Sequence, residues 1–341
     1  MKHCETKLGI AFVMVYWYNI YVIISGALFR QIHEQRKISM KNIEISGVCP
    51  IIAAPFTESG EVDFDSLKNL IKKLAGFGAG ALTLFGIAGE YYKLSDAEQD
   101  KMALVTADEC RKAGVPSIMS VTKHSTICAV EQAKKLEASG ADCLMLLPPF
   151  FLKPAGEELY KHMLAVCRAV DIPVMIQYAP EQTGVAIAPS VFEKLTAEAP
   201  NARYYKIECK PAGKYITSMI SSGIPAKIFV GNAGFQMIEA LDRGAVGLMP
   251  GCSMTDVYIK AYDAYKRGDR DEAKRIHTAL LEILNHIRQN VEMIIFFEKK
   301  ILKRRGFIES DYCRAPSFSS DKYFDSMFDE YYSMISRYFV K

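Results

Sequence analysis

The chain has 341 residues, half of them hydrophobic and 24% charged, which excludes a disordered or fibrous protein and allows a large core. Lys and Arg number 42 against 39 Asp and Glu, a formal charge of +3, and residues 1–39 alone hold five basic against two acidic residues. The remainder is balanced, so no broad basic face is offered to nucleic acid.

Nine cysteines form no CxxC pair, and with the six histidines they make no metal-type spacing. This pattern predicts reduced thiols, a cytoplasmic protein and no bound metal, with His124 and His162 as ordinary structural residues. Residues 8–29 carry no charge over a length that can cross a bilayer. Tyr16, Trp17, Tyr18 and Tyr21 crowd the middle of that stretch, however, where a spanning helix keeps such rings at its two interfaces. Two readings follow: residues 1–39 lie upstream of a true start at Met40, or they anchor the chain, which is the only way this sequence would meet a membrane.

From Gly47 onward, short apolar runs alternate with segments of helical period. The runs predict strands at 47–56, 81–86, 116–122, 143–149, 173–180, 202–208, 226–232 and 246–252. Between them, Asp63, Ser95 with Glu98, and Ser125 read as helix starts, and Gly78, Gly114 and Gly140 as stops. Eight buried parallel strands with eight crossover helices predict an α/β fold, a (β/α)8 TIM barrel over 40–252. A C-terminal helical extension over 253–341 follows, with amphipathic stretches at 258–265, 271–289 and 324–338. A doubly wound open sheet is the weaker alternative. Its nucleotide loop should follow the first strand, where this chain has Thr57-Glu58-Ser59-Gly60.

In such a barrel the working residues stand at the C-terminal ends of strands. Strand six reads Ala-Arg-Tyr-Tyr-Lys-Ile-Glu, which places Lys206 in an apolar strand. One reading is structural: Lys206 pairs with Glu208, which shares its face by period two. The other is chemical. A free lysine, with a pKa of roughly 10.4, is neutral in only about one molecule in a few thousand at pH 7, whereas a desolvated amine can attack a ketone and form an imine. At the end of strand two, Gly86-Ile87-Ala88-Gly89 allows a tight turn whose amides can hold a carboxylate. At the end of strand five, Tyr178 offers a phenol for proton transfer.

Taken in this order, the motifs resemble those of the dihydrodipicolinate synthase / N-acetylneuraminate lyase family of class I aldolases. The likeness runs from Gly47 to Pro316. It rests on the first strand, Gly86-x-x-Gly89-Glu90, residues 173–184, Lys206, Gly244-Ala245-Val246-Gly247, and the tail from Lys303-Arg304-Arg305-Gly306 to Arg314-Ala315-Pro316. The resemblance implies a homo-oligomer, dimer or tetramer, with no cofactor. In it Lys206 forms an imine with pyruvate or another 2-oxo acid, the turn over Gly86, Ile87, Ala88 and Gly89 holds the carboxylate, and the backbone near Met249 lines the same pocket.

Five positions depart from the family pattern. Its two hydroxyl residues in the strand-two turn are Ile87 and Ala88 here, and the column of its proton-carrying tyrosine holds Gln177, with Tyr178 one step later on the opposite face. Its strand-four tyrosine corresponds to Phe151, and the arginine that synthases use on their aldehyde substrate to Gln182. Glu90, Tyr91, Tyr92 and Glu208 are the candidate replacements for acid/base work. The expected function is thus a Schiff-base lyase or aldolase on a 2-oxo acid, with Lys206 and Tyr178 catalytic. The alternatives are 4-hydroxy-tetrahydrodipicolinate synthase itself, a 2-oxo-3-deoxy sugar acid aldolase or dehydratase, a non-catalytic barrel that binds a small acid, and a barrel binding phosphate at Gly231-Asn232-Ala233-Gly234 and Pro250-Gly251.

Overall fold

The computed structural model describes residues 43–154 and 156–340; the uncharged stretch at 8–29 lies outside the described residues. All eight expected strands form: β1 (Gly47–Val48), β2 (Leu82–Leu84), β3 (Ser117–Val121), β4 (Cys143–Leu146), β5 (Val174–Tyr178), β6 (Ala202–Ile207), β7 (Lys227–Val230) and β8 (Gly247–Leu248). They are parallel, in the order β1-β8-β7-β6-β5-β4-β3-β2. The seam between β1 and β2 is closed by a bridge from Ile51 to Thr83 and by hydrogen bonds from Ile52 N to Thr83 O (2.8 Å) and from Thr83 N to Pro50 O (2.9 Å). The sheet is thereby a barrel.

Each strand feeds a helix: α1 (Phe64–Gly76), α2 (Asp96–Ala113), α3 (Thr126–Ser139), α4 (Gly156–Arg168), the short α5 (Pro180–Thr183) with α6 (Pro189–Glu198), α7 (Ala212–Ser221), α8 (Met237–Asp242) and α9 (Thr255–Lys266). The local signals act largely as read. Asp63 accepts from the amides of Asp65 and Ser66, and Ser95 with Glu98 closes a capping box. Gly114 and Gly140 end their helices in the left-handed region, at φ 68° and 103°. Ser125 occupies its N-cap position without a side-chain cap bond. Helix α1 stops one step before the expected glycine, with Phe77 as its cap.

The barrel extends past residue 252. Helix α9 is its eighth crossover helix, and Tyr262 of that helix packs over Gly47 and donates to the Val246 carbonyl at 3.1 Å. The chain then adds α10 (Arg270–Ile287), α11 (Val291–Arg304) and α12 (Lys322–Ile335) within the same compact unit, Glu44–Lys341. None of the helices in the described residues is long and apolar enough to cross a membrane.

Candidate active site

Register decides which side chains enter the barrel. Lys206 pairs with Gln177 on β5 and Phe229 on β7, so all three share the inner face, as does Glu208 two residues on. The Lys206 side chain is almost wholly buried, at 4% exposure, and its Nζ lies 3.2 Å from Glu208 Oε1. Gln177 Nε2 donates to Glu208 Oε2 at 2.6 Å, and the Asn232 amide donates to Oε1 at 3.1 Å. Both carboxylate oxygens are thus engaged. Burial by itself raises the Glu208 pKa, but the Lys206 charge, the Gln177 amide and the Asn232 amide outweigh it and hold the carboxyl below its ordinary value.

Glu208 fits because position 231 is glycine: a Cβ there would stand 2.2 Å from Glu208 Cγ. The turn that follows is held in an unusual backbone. Asn232 and Ala233 both have φ of 53°, left-handed values rare outside glycine. Asn232 Nδ2 donates to the Glu208 carbonyl (2.8 Å), Tyr258 donates to the Ala233 carbonyl (2.8 Å), and His277 Nε2 bonds the Gly234 carbonyl (2.8 Å). Backbone strain at a strand end is sustained here by contacts from three other elements.

Lys206, Glu208 and Gln177 open onto a cavity of about 70 Å³ at the C-terminal mouth, also lined by Ile87, Ala88, Met249 and Arg288. That is room for roughly five water-sized centres. A wider outer chamber of about 650 Å³ shares Ile87, Gln182 and Val291 with it and adds Tyr91, Tyr92 and Phe150.

The turn after β2 supplies Ile87 and Ala88 to the cavity wall, whereas Gly86 and Gly89 stand behind it. A Cβ on Gly86 would meet Ile51 Cγ2 at 2.6 Å, and one on Gly89 the Ile52 carbonyl at 2.6 Å. The glycines therefore seat the turn against the first strand. Gly89 N and Glu90 N bond back to Gly86 O and Ile87 O, while the Ile87 and Ala88 amides have no backbone partner among the described residues. Those two donors are what the turn offers an anion. Glu90 is fully buried and ion-paired with Lys93 (3.2 Å) and Lys299, which ties the turn to α11 and keeps that carboxylate out of the cavity.

Tyr178 is a correction to the sequence reading. Its ring stacks on Tyr215 (centroids 4.6 Å) and meets Phe192 edge-on (6.0 Å), in the layer between sheet and helices. The one-residue step from Gln177 turns it out of the barrel, so Tyr178 has no access to the Lys206 cavity and Gln177 faces it instead. Phe151 is 79% exposed beside Leu152 at the β4 mouth. The phosphate reading also fails on geometry: Gly231 lies against Glu208 and Gly251 against Glu298, a Cβ on the latter coming within 2.4 Å of the carboxyl carbon. Two carboxylates occupy that side of the mouth.

Sequence reasoning missed Asn232 as a Glu208 partner and Arg288, at the end of α10. The Gly-Asn-Ala-Gly turn marked the former's place. Arg288 lies 82 positions beyond Lys206 in a segment read as packing, and no motif marks it.

Comparison with known proteins agrees with this architecture. The model of the dihydrodipicolinate synthetase family matches residues 44–330. An L-2-keto-3-deoxyarabonate dehydratase of Azospirillum brasilense is 26% identical over 79% of this chain and 88% of its own length. A 4-hydroxy-tetrahydrodipicolinate synthase of Bacillus subtilis is 28% identical over 72% and 84%. The crystal structure of a dihydrodipicolinate synthase from Rhodopseudomonas palustris superposes with a TM-score of 0.80 at 25% identity, covering 85% of this chain and 97% of that one. The chain belongs to the dihydrodipicolinate synthetase family and is, with it, a lyase that works through an imine between a lysine and pyruvate or another 2-oxo acid.

Proposed function

We propose that Lys206 is the imine-forming lysine and that Glu208, in place of a tyrosine relay, moves the protons. The observation that carries this is the 3.2 Å contact between the two in a cavity from which Tyr178 is turned away. On arrival of the oxo acid, the Lys206 ammonium gives a proton to the Glu208 carboxylate and the neutral amine adds to the carbonyl carbon. The protonated Glu208 returns the proton to the carbinolamine hydroxyl, water leaves, and an iminium remains beside the carboxylate. Reactant and product carry the same number of protons, so no outside acid is consumed. The iminium is an electron sink for breaking the neighbouring C–C or C–O bond, and the free Ile87 and Ala88 amides take the substrate carboxylate, with Met249 lining the cavity.

Loss of the arginine column to Gln182 and of the tyrosine columns to Gln177 and Phe151 argues against 4-hydroxy-tetrahydrodipicolinate synthesis. It leaves a 2-oxo acid aldolase or a dehydratase, the activity named for the Azospirillum relative. Borohydride reduction with a panel of 2-oxo acids tests the class: at least one acid should add its mass less one oxygen to the protein. Lys206→Ala should abolish that addition and turnover together, whereas a pure binder would keep affinity. We place the enzyme in the cytoplasm on the strength of the eight unpaired cysteines among the described residues. We also propose that it is a dimer or tetramer through the mouth loop that exposes Phe151 and Leu152, and sedimentation of Phe151→Asp should show a smaller species.

A further inference from the structure

Arg288 ends helix α10 and lines the cavity that holds Lys206. Its guanidinium carries five N–H donors in a planar fork. Among the described residues it makes one hydrogen bond, from Nη2 to Asn232 Oδ1, and it lies 4.9 Å from the centroid of Phe235. Burial pushes its pKa down, opposed by the more distant charge of Glu208, Tyr258 and Glu181. Among the described residues no ion pair or hydrogen bond joins Arg288 to Glu208, whose oxygens hold Lys206, Gln177 and the Asn232 amide and whose charge reaches the guanidinium only at longer range.

Other shielded arginines of this chain are treated differently. Arg305 grips Asp256 through two bonds of 2.8 and 2.6 Å, and Arg314 grips Glu98 through two nitrogens. Arg288 alone of these three faces a cavity, with most of its donors unspent.

The cavity therefore has two anion-seeking ends. One is the pair of free amides on the β2 turn; the other is Arg288, tied through Asn232 to the β7 turn. Strands β1 and β8 stand between β2 and β7, so the two ends lie at separate points on the wall of one cavity, with Lys206 on β6 next to the β7 end. A 2-oxo monocarboxylate satisfies one end. We propose that the preferred substrate is a 2-oxo acid with a second carboxylate, which Arg288 receives as a bidentate pair while the first sits on the Ile87 and Ala88 amides. Gln182, where the resembling synthases carry their arginine, leaves Arg288 as the guanidinium of this cavity. The inference rests on the imine reading for its substrate class but not for its anion site.

The test compares 2-oxoglutarate with 2-oxopentanoate, of equal chain length but lacking the second carboxylate, by the concentration that half-saturates borohydride trapping. The wild type should favour 2-oxoglutarate by at least tenfold, Arg288→Gln should bring the ratio to within about twofold of unity, and Arg288→Lys should restore part of it. A wild type that favours 2-oxopentanoate, or a ratio unmoved in Arg288→Gln, overturns the proposal. If neither acid traps, the imine reading itself fails only when no other 2-oxo acid of the panel traps either, and calorimetry with glutarate, which has no oxo group, decides the anion site. At least tenfold weaker binding to Arg288→Gln upholds it, and equal binding to both proteins refutes it.

Discussion

Glu208→Gln removes one charge from the Lys206 pair while leaving the side-chain volume in place. At 3.2 Å and an effective dielectric of about 20, the lost attraction is about 5 kcal/mol. Stranding one member of a buried pair costs about 3–5 kcal/mol by comparison with other proteins. The lower end applies here, because the new amide can still accept from Asn232 N and Gln177 can turn its own oxygen toward it. At an unfolding entropy of roughly 2.1 cal/mol/K per residue, a chain of 341 residues shifts by about 1.4 °C per kcal/mol, so the melting temperature at pH 7 should fall by about 4 °C. The gap has a defined pH dependence. The folded pKa of Glu208 lies below its unfolded value, so its contribution is fully present above the unfolded pKa of roughly 4.3 and is lost as pH falls through the folded one. Differential scanning calorimetry from pH 7 to pH 3 should show wild type and variant converging in acid. Stopped-flow trapping should show imine formation slowed by about 10²–10⁴-fold. The double variant Lys206→Met/Glu208→Leu should regain most of the stability and none of the chemistry. A variant that melts with the wild type, or traps at its rate, would refute both the pair's energetic weight and its role in proton transfer.

Tyr178→Phe should trap 2-oxo acids within about threefold of the wild-type rate, since its ring lies between sheet and helices; a loss of a hundredfold would return the phenol to the chemistry. Gly89→Ala drives a Cβ to 2.6 Å from the Ile52 carbonyl, a backbone atom that cannot step aside. It should lower stability by about 1–3 kcal/mol and raise the half-saturating concentration of the oxo acid in titrations followed by trapping. Glu98 is held at a pKa of about 2, chiefly by the Arg314 guanidinium, so a Glu98→Gln protein should be less stable than wild type at pH 6. That difference should shrink between roughly pH 4.5 and pH 2 in thermal melts, and a constant difference would mean that charge is not what the pair contributes.

Strand existence was legible because parallel strands buried on both faces are written as apolar runs, and all eight appear where those runs begin. Their ends were less so. The first run was expected over ten residues but pairs regularly only at Gly47–Val48; past Pro50 it meets its neighbours through isolated bridges from Ile51 to Thr83 and Gly251 and through the Ile52 amide, without a continuous ladder. Period two carried the site further than the family pattern did: it puts Gln177, Lys206 and Glu208 on one face and Tyr178 on the other, which is how the side chains lie. The pairing of Lys206 with Glu208, first entertained as the structural alternative to chemistry, supplies the proton acceptor that the chemistry requires. What could not be read were partners brought in by the last helices. Arg288, and the lock of Glu90 on Lys299, depend on how α10 and α11 fold back over the mouth, and nothing local in those segments records it.

The central claim is a covalent bond between one nitrogen and the oxo carbon, and nuclear magnetic resonance observes that bond directly. Protein labelled with ¹⁵N at the lysine side chains, mixed with the best-trapping 2-oxo acid carrying ¹³C at its oxo carbon, should show a one-bond carbon–nitrogen coupling that disappears in Lys206→Arg. A spectrum holding only free ketone and hydrate carbons, or a coupling that persists without Lys206, would contradict the account.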